Sequence, residues 1–126
     1  MDIKQVDIGT LIGDHFLKKK GETEREKEMT LVTDDCGLLE ITRSKFIGLF
    51  FSAHWCPPCQ NFLPILKDFY SEVNLDDKEF EVLFISTDKT EDDFKEHYKS
   101  MPWLAIPYAD PRIKQLLNKY KVVGIP

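Results

Sequence analysis

Two cysteines enclose two prolines in Trp55-Cys56-Pro57-Pro58-Cys59, directly after the apolar run Phe46-Ile47-Gly48-Leu49-Phe50-Phe51 and before a helical pattern. No other stretch narrows the possible folds as much. Residues three apart on a helix share a face, with Cβ atoms roughly 5–6 Å apart, close to what a disulfide requires. Cys56 falls at the helix start, where unpaired N–H groups and the helix dipole favour a thiolate over a thiol. Pro57 suits a first turn, since its missing donor would be an orphan there, and two fixed φ angles hold the sulfurs near bonding geometry. The stretch therefore predicts a dithiol/disulfide redox site.

Ionisation alone does not make such a site fast. A thiol whose pKa falls from about 8.5 to about 7 raises its thiolate fraction at pH 7 from roughly 3% to roughly 50%. With a Brønsted slope of about 0.45, the same shift costs about fivefold in nucleophilicity, leaving a net gain of about threefold. Positioning of the attacking and resolving sulfurs must supply most of the rate.

The chain has 126 residues and is 42% hydrophobic, enough for one domain with a real core, and we read residues 1–126 as a single unit. A net charge of −5, with no lysine/arginine cluster outside one loop, argues against a nucleic-acid surface. Met1-Asp2-Ile3-Lys4-Gln5 lacks a cationic segment followed by an apolar one, and no apolar run approaches a membrane span. The expected setting is the cytoplasm, with the nucleus as a second compartment. Three cysteines with one CxxC fit redox catalysis better than a disulfide framework. Cys36, in the turn-like Thr33-Asp34-Asp35-Cys36-Gly37, is read as a surface thiol without a role. One CxxC offers two of the four ligands of structural zinc, so neither metal nor cofactor is expected.

Ile8, Leu11, Ile12, His15 and Phe16 recur at helical offsets and predict an N-terminal helix ending near Lys18-Lys19-Lys20-Gly21. Glu22 to Glu28 reads as a solvated connection. Met29 to Thr33 and Leu38 to Ile41, around Asp34-Asp35-Cys36-Gly37, predict a hairpin. Phe46–Phe51 and Phe80–Ser86 read as parallel strands covered on both faces. The helix between them carries an apolar stripe, Phe62, Ile65, Leu66, Phe69 and Val73, with Pro64 expected to kink it. This β-α-β unit puts the CxxC at a strand-to-helix junction, where α/β sheets carry their chemistry. Thr90-Glu91-Asp92-Asp93 starts a capped helix with Phe94, Tyr98 and Met101 on one face, which His97 shares as a packing residue. Asp110-Pro111 starts a last helix with Ile113, Leu116, Leu117 and Tyr120.

The order of elements, Phe50-Phe51-Ser52-Ala53-His54-Trp55-Cys56-Pro57-Pro58-Cys59, Met101-Pro102-Trp103-Leu104-Ala105-Ile106-Pro107-Tyr108 and Gly124-Ile125-Pro126 together resemble the thioredoxin superfamily, in its tryparedoxin/nucleoredoxin branch. The resemblance implies a thioredoxin-like three-layer α/β/α sandwich with an N-terminal hairpin. It implies a thiol–disulfide oxidoreductase working through a mixed disulfide, with Cys56 the exposed nucleophile and Cys59 the resolving thiol. Trp55, Pro57 and the Met101-Pro102-Trp103 segment would line the substrate approach, and Ile125-Pro126 would be the cis-proline dipeptide that pairs with an extended substrate. Disulfide-containing proteins or low-molecular-weight thiols are the implied partners.

Three positions depart from the family pattern. Thioredoxins commonly carry a buried aspartate six residues before the nucleophile, and Phe50 stands there. Proton handling must lie elsewhere, and His54 is the nearest titratable candidate by sequence. Thr87-Asp88-Lys89 replaces a Trp-Asp-Glu rim, and Gln60 replaces a basic residue after the second cysteine. The pattern also continues past the cis-proline with two strands and a helix, so about 25–30 residues are expected to be absent. Their absence would leave Phe46 to Ser52 as an exposed edge open to self-association. The alternative reading is a redox-regulated protein-binding module on the same scaffold.

Overall fold

The computed structural model describes residues 16–19, 29–32 and 44–122. Strands β1 (Phe16–Lys19), β2 (Met29–Val32), β3 (Phe46–Ser52), β4 (Phe80–Ser86) and β5 (Leu104–Ala105) alternate with helices α1 (Pro57–Val73), α2 (Glu91–Tyr98) and α3 (Pro111–Lys119). They form one mixed sheet in the order β2-β1-β5-β4-β3. β3 runs parallel to β4 in register from Phe46↔Phe80 to Ser52↔Ser86, and β4 runs parallel to β5. β1 is antiparallel to both β2 and β5.

β4 shows why the sheet is covered twice. Its side chains alternate, Leu83 and Ile85 joining Ile113 and Leu116 of α3 on one face. Val82 and Phe84 join Leu63 of α1 and Phe94 and Tyr98 of α2 on the other. A strand buried on both faces has no polar side to show, hence its unbroken apolar sequence. The three-layer α/β/α sandwich expected from the sequence is the observed fold.

Two local expectations are corrected. Phe16 lies in a strand rather than at a helix end, because Phe16 and Leu17 enter opposite faces of the sheet. Met29–Val32 pairs with Phe16–Lys19; its expected hairpin partner Leu38–Ile41, like Ile8 to His15, Glu22 to Glu28 and Cys36, lies outside the described residues. On α1, Cys59 and Leu63 are the buried positions and Phe62, Ile65 and Phe69 stay exposed. The helix has apolar residues on more than one face, and the face against the sheet is the one that also places Tyr70 Oη 2.9 Å from the buried carboxylate of Glu81. α1 continues through Pro64 to Val73 as one helix.

The capped starts appear as read. The Thr90 side chain accepts from Asp93 N–H at 3.2 Å, and Asp110 from Arg112 N–H at 2.9 Å. No helix among the described residues is long and apolar enough to cross a membrane.

Candidate active site

β3 ends at Ser52, and the chain turns through Ala53, His54 and Trp55 into α1. Cys56 is the N-cap residue: its backbone is extended, its sulfur accepts from Cys59 N–H at 3.4 Å, and Pro57 and Pro58 open the helix behind it. The sulfur thus sits where helix N–H groups converge, and a thiolate formed there meets the positive end of the dipole. Gln60 N–H donates to the Cys56 carbonyl at 3.1 Å, the first bond of the helix.

Cys56 and Cys59 are both thiols. The resolving position is sealed, with Cys59 fully buried. Burial most of all, and then the Cys56 thiol, push the Cys59 thiol up from its usual range, while the Ser52 side chain and the Ala53 backbone pull it down. Cys56 is less open than expected. Only 4% of it is exposed, because its sulfur folds back over the helix start, while Trp55 beside it is 52% exposed. The exposed nucleophile of the sequence reading is corrected to a recessed one with an open rim. Pro57 lies on that rim, and the Lys89 ammonium stands 5.8 Å from the Trp55 ring centre.

Trp103 does not line the approach. It is 3% exposed and packs edge-on against Phe50 and Tyr70, in the aromatic core beneath the site. Met101, from the same segment, is fully buried. These two residues support the floor of the site through packing, which segment-level similarity alone does not distinguish from substrate contact. Ile125 and Pro126 lie outside the described residues.

His54 is half-buried and held by neighbours. Its N–H donates to Asp88 Oδ1 at 2.7 Å, its carbonyl accepts from Gln60 Nε2 at 2.7 Å, and Gln60 Nε2 lies 3.3 Å from its Nδ1. Asp88 is itself fixed, accepting from Ser86 Oγ at 2.7 Å through its other oxygen. The residue that sequence reasoning under-read is His97. It is 2% exposed, its ring centre lies 5.9 Å from that of His54, and its Nε2 is 2.7 Å from Ser52 Oγ. Burial lowers the His97 pKa, the positive charge available to His54 adds to that, and the Asp88 carboxylate opposes it. Ser52 offered no sequence signal at all, since its partner lies on α2. Among the described residues no group of three or more His, Cys, Asp or Glu side chains could hold a metal ion.

A β-α-β unit with a CxxC at the strand-to-helix junction, inside an α/β/α sandwich, defines a class, and sequence comparison gives the same one. Residues 44–126 match the family described as Thioredoxin-like, to which this chain belongs. It is 48% identical over 82 residues to probable nucleoredoxin 1 of Arabidopsis thaliana, covering 65% of this chain and 14% of that protein. It is 45% identical over 84 residues to tryparedoxin of Trypanosoma brucei brucei, covering 65% of this chain and 57% of the relative. Among solved structures, the thioredoxin of Wuchereria bancrofti superposes with a TM-score of 0.74 at 39% identity, over 92% of this chain and 74% of that one. The chain therefore spans a small part of the nucleoredoxin's length and over half of the tryparedoxin's.

Proposed function

We propose that Cys56 and Cys59 are a redox-active dithiol that reduces or exchanges substrate disulfides. Cys56 attacks one sulfur of the substrate, forming a mixed disulfide and releasing the other sulfur as a thiolate. Cys59 then attacks Cys56, releasing the second substrate sulfur and leaving a Cys56–Cys59 disulfide. The observation that carries this reading is the pair of thiols in the first turn of α1, with the N-cap Cys56 sulfur accepting from Cys59 N–H at 3.4 Å, one recessed under a rim and the other sealed behind it. Kinship with nucleoredoxin and tryparedoxin sequences supports it.

The recess restricts the substrate. A sulfur that is 4% exposed favours a disulfide carried on an extended peptide or a small molecule over one set in a rigid protein surface. Disulfide-containing proteins and low-molecular-weight thiols are the proposed partners, and a compartment that keeps thiols reduced, the cytoplasm with the nucleus second, is the proposed setting. Insulin reduction followed by turbidity with dithiothreitol tests the activity. The wild-type chain should accelerate precipitation and Cys56→Ser should abolish the acceleration; undiminished activity in that variant would remove Cys56 as nucleophile. Cys59→Ser should accumulate mixed disulfides with many clients. A single stoichiometric client would indicate a binding module instead.

A further inference from the structure

We propose that His97 accepts the proton of the Cys59 thiol through the Ser52 hydroxyl, making it a proton-holding residue for the resolving step. The inference deepens the thiol–disulfide reading and rests on it.

Three observations carry it. The Ser52 Oγ lies 2.7 Å from Nε2 of His97, and the same hydroxyl favours the ionised form of the neighbouring Cys59 thiol. Ser52 and His97 are 0% and 2% exposed, so solvent has little access to compete for the proton. Cys59 is fully buried as well, which leaves its thiol needing an internal acceptor before it can attack. Phe50, packed among the rings of Phe62, Phe84 and Trp103, offers none. The His54 ring meets Gln60 at Nδ1, and its backbone N–H donates to Asp88; neither contact runs to Ser52 or Cys59.

The surroundings suit a base that is neutral at rest. Burial holds the His97 imidazole below its ordinary pKa, so Nε2 can be an acceptor at neutral pH with the ring proton on Nδ1. The groups facing it are His54 from the turn after β3, Asp88 from the end of β4, and Cys59 of α1 through Ser52. The Asp88 carboxylate favours the imidazolium that forms transiently, and His54 opposes it.

The step balances as follows. With a substrate sulfur bonded to Cys56, the Cys59 thiol proton passes to Ser52 Oγ while the Ser52 hydroxyl proton passes to Nε2. The Cys59 sulfur forms a bond to Cys56 Sγ, the bond from Cys56 to the substrate sulfur breaks, and the substrate leaves with that electron pair as a thiolate. The dithiol is oxidised by two electrons and the substrate disulfide reduced by two. The leaving thiolate takes a proton from solvent, and His97 holds its own until reduction of the Cys56–Cys59 disulfide regenerates the Cys59 thiolate, which takes it back through Ser52.

The resolving step can be isolated in the full chain by mixing it with the nitrobenzoate disulfide reagent DTNB, which releases one coloured thiolate on attack by Cys56 and leaves a second, colourless while bound, as a mixed disulfide on Cys56. Release of that thiol by Cys59 is then followed in stopped flow. His97→Gln and Ser52→Ala are each expected to slow release near pH 7 on the order of 10²-fold, with the gap closing as the pH rises far enough for Cys59 to ionise unaided. Unchanged release in a folded His97→Gln chain, or a slowing that persists undiminished at alkaline pH, overturns the relay. Should His97→Gln not fold, Ser52→Ala decides, since it leaves the ring in place and breaks the connection. A Cys59→Ser chain that takes no label on Cys56 would instead strike the thiol–disulfide reading itself.

Discussion

A buried imidazole ties stability to pH in a definite direction. His97 has its folded pKa depressed below the ordinary value of 6.5, chiefly by burial, so the unfolded chain binds a proton there more readily. Its contribution to stability is complete above about pH 6.5 and is lost as pH falls through that value towards the folded pKa. Urea midpoints should therefore decline between about pH 7 and pH 5 more steeply in the wild type than in His97→Gln. Parallel declines would show that other groups dominate. At this scale the sequence showed the local and hid the distant. Cys56 and Cys59 are neighbours on one turn, so spacing alone paired them. Ser52 and His97 are separated by 45 positions, and only the packing of α2 against the sheet brings them together. Recession of Cys56 was equally invisible, because it depends on which way one side chain turns.

Among elements, α1 is the clearest case of a periodicity that named the helix and missed its buried face. Hydrophobicity alone cannot separate Leu63, which packs against the sheet, from Ile65, which is 64% exposed. What separates them is β4 beneath the helix, where buried Glu81 meets Tyr70 Oη at 2.9 Å and Lys78 Nζ at 2.9 Å. The exposed stripe of Phe62, Ile65 and Phe69, and 67%-exposed Phe46 at the start of β3, lie on the outer strand of the described sheet and its covering helix. An apolar patch beside a strand edge favours association. Sedimentation velocity of the 126-residue chain should show an average mass that rises with concentration. Ile65→Lys with Phe69→Lys should weaken that association about tenfold or more, and a monomer at every concentration would refute it. The N-terminal ribbon failed at sequence level for a different reason: Phe16 closes a helical spacing pattern, yet its actual constraint is the antiparallel partner Val32.

At the level of the molecule, the sheet is two pieces joined at a narrow place. β3 and β4 pair along seven positions, whereas β5 is two residues long and meets β1 at the single register pair Leu17↔Ala105. The Tyr98 hydroxyl strengthens the junction, donating towards the carbonyls of Leu17 at 2.8 Å and Trp103 at 2.6 Å. Tyr98→Phe leaves those acceptors short of a donor and should cost about 1–2 kcal/mol. Amide exchange should accelerate in Phe16–Lys19 and Met29–Val32 well before it does in Phe80–Ser86. Equal acceleration throughout would mean that the sheet opens as one. The general plan of this sheet was readable from the apolar runs, but this weak joint was not, since nothing in Leu104-Ala105 announces how short its strand would be.

That joint divides the protein's vulnerability unevenly. Because β3 and β4 pair along seven positions while β1 reaches the core chiefly through Phe16 and Leu17, the leading ribbon should loosen before the sulfur chemistry is disturbed. Wear at the front of the chain would then register as lost protection against proteases long before it registered as lost turnover.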